Sequence, residues 1–248
     1  MRSVNAVFYK QLRDTLKNTP TLFQFILYPM MALIMSVMAV PDFEGIPEDM
    51  LAIIADNMPN MVTMMATVFA GMGLITVIPG IITEDTEKKS LRFMTMAGVK
   101  PLSYIIGVSG VIFFVSIFTS VAFSLIGGFT GLDFWIFTAA MMSGVAGSIM
   151  LGATIGVLSG AHQAAQGLAL PAALILGFGP MIAQFNDTVA RVLHLFYTQQ
   201  LNIVANYLTQ GGVDTPLWQS FGIMWANVAV LGLLFVLVFK KKWPVAFT

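Results

Sequence analysis

The chain has 248 residues, of which 57% are hydrophobic and only 10% charged, with a mean hydropathy of +0.84. Charged residues make up about a quarter of an ordinary globular domain, so this composition excludes one and indicates an integral membrane protein. Formal net charge is zero and cysteine is absent, which argues against a nucleic-acid partner and excludes a disulfide framework, a thiolate metal site and a thiol nucleophile.

The first twenty residues are polar and amphipathic, with no compact apolar run before a small-residue cleavage site, so a cleaved signal peptide is not expected. Val4, Val7, Phe8, Leu12 and Leu16 fall on one helical face, opposite Lys10, Arg13, Asp14 and Lys17. That pattern predicts a helix over 1–20 lying along the membrane plane. Residues 21–40 are uncharged and long enough to cross about 30 Å of hydrocarbon, with a kink expected at Pro29. Residues 41–57 carry Asp42, Glu44, Glu48, Asp49 and Asp56 and no base, an acidic loop or short surface helix. A second uncharged span follows at 59–83.

Residues 84–100 are a charged island between apolar runs. Glu84, Asp85 and Glu87 suit the first turn of a helix, Lys88, Lys89 and Arg92 follow, and Gly98 and Pro101 supply a stop. Leu91, Met94 and Ala97, with Phe93 beside them, predict an amphipathic helix over 84–97 outside the bilayer, rigidly continuous with the spans around it. A solvated loop resting on headgroups has the same composition. Further spans are expected at 102–129, 134–158, 167–186 and 218–239. The run from Phe134 to Asn186 holds no charge and is divided at its one polar cluster, Ser159 to Gly167. Pro171 and Pro180 predict a broken fifth span. Residues 187–210 read as one or two short amphipathic helices on the membrane surface, and Lys240, Lys241 and Lys242 close the last span.

The expected fold is therefore all-α and polytopic, a single transmembrane domain of six spans with interfacial and surface helices. With six spans, eleven of the twelve Lys and Arg residues fall on one side and only Arg191 on the other, so the positive-inside rule places both termini and the charged island in the cytoplasm. Gly144, Gly147, Gly152 and Gly156 have the spacing of a close-packing seam, from which a permease dimer is expected.

No phosphate-binding loop occurs, so ATP is not expected to bind this chain. His162 and His194 fall on opposite faces and cannot share a metal. Ser109, in Gly107-Val108-Ser109-Gly110, and His162 both lie toward cytoplasmic span ends, the minimum for an intramembrane serine protease, although nothing in the sequence orients His162. No span carries an ionisable group to harvest an ion gradient, which points to a separate motor.

An interfacial N-terminal helix, six spans and an acidic-then-basic segment leading into Thr95-Met96-Ala97-Gly98-Val99-Lys100-Pro101-Leu102-Ser103-Tyr104 resemble the permease subunit of an ABC-2 type ABC transporter. The likeness covers the layout of nearly the whole chain and is sharp over Ile81 to Gly107. Lys89-Ser90-Leu91 departs from the family's frequent Glu-Lys-Gly-Thr-Leu, in which a glycine precedes the Thr. The resemblance implies a coupling helix at 84–97 (Glu84, Asp85, Glu87, Lys88, Lys89, Leu91, Arg92, Phe93, Met94 and Ala97) docking on a cytoplasmic ATP-binding subunit. It also implies two such subunits holding ATP and Mg, no cofactor in this chain, a second permease chain, and surface helices closing the outer side. Eighteen Met and twenty Phe suit apolar or amphipathic cargo such as peptides, drugs or lipid-like molecules, or they face lipid.

Overall fold

The computed structural model describes residues 2–38, 61–210 and 216–246, and every element among them is helical. In chain order they are α1 (Arg2–Lys17), α2 (Thr19–Met38), α3 (Met61–Glu87), α4 (Ser90–Met96), α5 (Pro101–Ile126), α6 (Gly131–Leu158), α7 (His162–Ala183), α8 (Asp187–Leu193), α9 (Tyr197–Gln210) and α10 (Leu217–Ala246). Five of them, α3, α5, α6, α7 and α10, are long and apolar enough to cross a membrane. A further candidate is a broken span made of Val4–Lys17 and Thr21–Val37, which meet at 63°. The acidic stretch 41–57 lies outside the described residues.

The centre of the bundle is α6, which packs on α10, α3, α5 and α9. Its glycines set the approach distances. A Cβ on Gly152 would lie 3.1 Å from the Ile78 Cβ, and one on Gly156 would lie 2.9 Å from the Ile82 Cδ1. One on Gly147 would lie 3.1 Å from the Tyr197 ring. The glycine seam expected to join two chains is therefore filled by α3 and α9 of the same chain, and it supplies no face for a second copy.

The prolines of α7 do not break it: the helix runs from His162 through Pro171 and Pro180 to Ala183. Pro180 has no N–H for the carbonyl of Leu176, four residues earlier. That carbonyl faces the bare Cα of Gly71, where a Cβ would sit 2.5 Å from the oxygen. Gly71 belongs to a π-helical turn in α3, Phe69–Gly73. In the same turn the Ala70 carbonyl accepts a hydrogen bond from the Ser148 hydroxyl, which also lies 2.8 Å from the Tyr197 hydroxyl. The Ala70 carbonyl of the π turn thus finds a donor on a neighbouring helix, the condition for irregular backbone at membrane depth.

Residues 187–210 form two helices, but α9 is not a surface helix. Leu193, at the end of α8, folds back onto Gly179 of α7, and α9 is wedged against α6, α7 and α10 with Tyr197, Leu201, Val204 and Ala205 buried. Its fourteen residues measure about 21 Å, too short to cross. Its first residue nevertheless reaches Ser148, seventeen residues into α6. The side chains missing at Gly144 and Gly147 make the room, with Leu201 and Tyr197 against them.

Helix α1 packs against α5, and a Cβ on Gly107 would meet the Val7 Cγ1 at 2.5 Å. Its buried stripe is Val7, Gln11 and Thr15, whereas Leu16, expected on the apolar face, is 54% exposed.

Candidate functional site

The charged island is not one helix. Glu84, Asp85 and Glu87 form the last turn of α3, the chain breaks at Lys88–Lys89, and α4 resumes at Ser90. The carboxylates therefore stand at the negative end of a helix dipole, the reverse of the expected arrangement, and each is offset by a partner. Lys88 pairs with Glu84 one turn earlier, and the hydrogen bond and charge of that carboxylate raise the Lys88 pKa above its ordinary value. Lys88 accordingly stays charged throughout the neutral range. Asp85 accepts hydrogen bonds from the Tyr104 hydroxyl at 2.6 Å and from the Ser90 hydroxyl at 2.6 Å, with the Lys10 Nζ 3.8 Å away. Glu87 accepts the backbone N–H of His162 at 2.7 Å, placing a carboxylate at the N-terminus of α7, where the dipole favours it.

The three acidic residues expected to meet a partner are thus engaged within the chain: Asp85 holds α1, α4 and α5 together, and Glu87 fastens α3 to α7. Tyr104, Ser90 and Lys10 complete this knot. Sequence reading missed them because Lys10 is 75 positions from Asp85, and because Tyr104 and Ser90 carry no signal of a partner.

The break itself is built on Lys89, the one non-glycine residue with positive φ, at 57°, among those described. A left-handed conformation costs an L-residue roughly 1–2 kcal/mol that glycine does not incur. Lys89→Gly is therefore expected to raise stability by about 1 kcal/mol, read as a higher thermal midpoint of the detergent-solubilised chain. At its other end α4 closes in a Schellman motif: Val99 N–H bonds to the Met94 carbonyl, Gly98 N–H to that of Thr95, and Gly98 has φ 81°. Pro101 starts α5 and is not part of the stop.

The orientation of α4 sorts the remaining residues. Leu91 is buried and Met94 packs against the core, while Arg92, Phe93 and Ala97 face out. Phe93 is 66% exposed and Met96, absent from the expected set, 69%. With Lys88 and Lys89 this makes a basic face carrying an exposed aromatic ring and a thioether, just past the end of a membrane-length helix.

Ser109 and His162 are not brought together. Ser109 lines a groove between α5, α6 and α10. His162 starts α7, with its Nδ1 3.4 Å from the Thr83 hydroxyl and its side chain near Gly80, both on α3. No hydrogen bond joins the pair among the described residues, and none of the described residues form a cluster suited to a metal ion. Comparison of the chain with protein families and with curated proteins returned no match.

Proposed function

We propose that the chain is the membrane-embedded permease of an ATP-driven exporter of the ABC-2 type, working with a separate ATP-binding subunit. One observation carries this reading. The outward face of the 84–97 segment combines Lys88, Lys89 and Arg92 with exposed Phe93 and Met96, while its inward groups are tied to α1, α3, α5 and α7. Aromatic, Met and Arg side chains are those enriched in protein interfaces. A push on α4 reaches the bundle through Leu91, Met94 and the Asp85 knot, so the segment has the mechanical continuity that a docking element requires.

The sorting of Lys and Arg supports six spans with both termini in the cytoplasm, α2 supplying the first and α1 staying on the cytoplasmic side. Two permease chains, homo- or heterodimeric, and two ATP-binding subunits follow from the resemblance, with ATP and Mg held by the partner. Apolar or amphipathic cargo follows from spans rich in Met and Phe.

The chain purified alone is expected neither to bind nor to hydrolyse ATP, and turnover should appear only with its co-purified ATP-binding subunit. Turnover surviving removal of every partner would overturn the assignment. The intramembrane protease reading is disfavoured by the separate settings of Ser109 and His162.

A further inference from the structure

The bend between α1 and α2 and the last turn of α3 line an open polar cavity of about 480 Å³, a size common for small-ligand sites. Two of its lining side chains, Gln11 and Thr15, are 5% and 2% exposed. The Gln11 Oε1 and the Thr15 hydroxyl are both buried and make no hydrogen bond. A buried polar atom without a partner costs about 1–3 kcal/mol, a penalty that a ligand carrying a donor and an acceptor would relieve at both atoms. The cavity also mixes charges. Asp14, Glu84 and Asp85 line it alongside Lys10, Lys88 and Lys17, and of these lysines Lys17 makes no ion pair among the described residues.

We infer that this cavity binds the headgroup of a phospholipid bearing both a phosphate and a primary ammonium, as in phosphatidylethanolamine. An acceptor with no donor, Gln11 Oε1, calls for an N–H, and the neighbouring carboxylates favour a cationic one. Lys17 and the Thr15 hydroxyl suit the phosphate. A zwitterion leaves the balanced charge of the site unchanged, whereas a simple anion or cation would not. A quaternary ammonium has no N–H and leaves Gln11 unpartnered. A lipid is favoured over a free headgroup because the next residue of α2 after Thr21, which lines the cavity, is Leu22, which begins an apolar groove between α2 and α5. That groove includes Phe25, Met30 and Phe118, and it offers acyl chains a surface close to the headgroup.

This inference needs only that the bend lie at headgroup level. It does not rest on the permease reading, and its test uses no ATP-binding subunit, so the two fail separately.

The full-length chain in detergent, titrated with phosphatidylethanolamine or with phosphatidylcholine of the same acyl chains, should retain the first about tenfold more tightly by native mass spectrometry, the value of one charge-assisted hydrogen bond. Gln11→Leu should bring the ratio close to one. Gln11→Glu, which keeps an acceptor and adds charge, should preserve the preference. Thr15→Val should weaken both lipids alike and serves as the second reading if Gln11→Leu fails to fold. Equal retention by the wild-type chain, as expected if a basic side chain of a partner protein fills the cavity, overturns the inference. An unchanged ratio in Gln11→Leu does the same. Displacement by free phosphoethanolamine at concentrations matching the lipid would overturn the lipid as the source.

Discussion

Gly71→Ala is expected to be among the most destabilising single-methyl additions in the chain. The new Cβ would lie 2.5 Å from the Leu176 carbonyl oxygen and 2.6 Å from the Gly177 nitrogen, both backbone atoms that no rotamer change can move aside. Relief requires α7 to shift away from the π turn of α3. That shift opens the close approach of α7 to Gly71 and strains the link from Ala70 through Ser148 to Tyr197 that anchors α9. Overpacking a tight contact costs about 1–3 kcal/mol, and the backbone-to-backbone clash puts this site at the upper end. Gly167→Ala is the control. It lies in the same helix α7 with nothing within 4 Å of the added methyl, and replacing a mid-helix glycine there should stabilise by about 0.5–1 kcal/mol. Thermal unfolding of the two variants in one detergent separates the effects. Equal midpoints would mean that α3 and α7 are not packed at this distance.

What the sequence revealed follows from which properties are compositional. Uncharged runs and the placement of Lys and Arg depend on solvent class alone, so the positions of α3, α5, α6, α7 and α10 could be read directly from them. The breaks were harder. Thr83 to Glu87 simply continue α3, because a membrane-length helix can extend a turn into water while its carboxylates find Lys88, Tyr104 and the α7 N-terminus. Charge marks where water begins, not where a helix ends. The reversed polarity of Glu84, Asp85 and Glu87 was hidden for the same reason.

The α9 helix shows the opposite failure. The segment 187–210 reads as helices on the membrane surface, yet Thr198, Gln200 and Asn202 of α9 are buried. Polarity in a short helix signals water only when no groove is available, and that groove depends on Gly144 and Gly147, more than fifty residues away. The same two glycines could equally have served a second chain, because spacing reports a close approach without naming the partner. In the charged island the residues facing outward were only partly legible. Lys88, Lys89 and Arg92 are exposed and Leu91 and Met94 face the core as expected, but Ala97 and Phe93, expected on or beside the apolar face, are exposed, because the chain breaks at Lys89 and α4 starts afresh at Ser90.

On the proposed permease reading, Met94→Pro should abolish transport while leaving the membrane-spanning helices inserted. With only seven residues, α4 cannot absorb the lost hydrogen bond and ring clash that a mid-helix proline brings, at about 3 kcal/mol. The Met94 side chain packs on the core, so the substitution also loosens α4 at its seat. Of the partners of Asp85 only Ser90 lies on the broken helix, and Lys10 and Tyr104 lie outside it, so α1, α3 and α5 should keep their arrangement. Lys88→Glu combined with Lys89→Glu changes the exposed face and spares the helix. Surface charges are screened by salt, so this variant should weaken association with the ATP-binding subunit, least at high ionic strength, and should transport when that subunit is in excess. A segment merely resting on headgroups would tolerate both changes. Transport in vesicles with the matched ATP-binding subunit therefore distinguishes a transmitting element from a passive one, and normal rates in Met94→Pro would end the coupling role of α4.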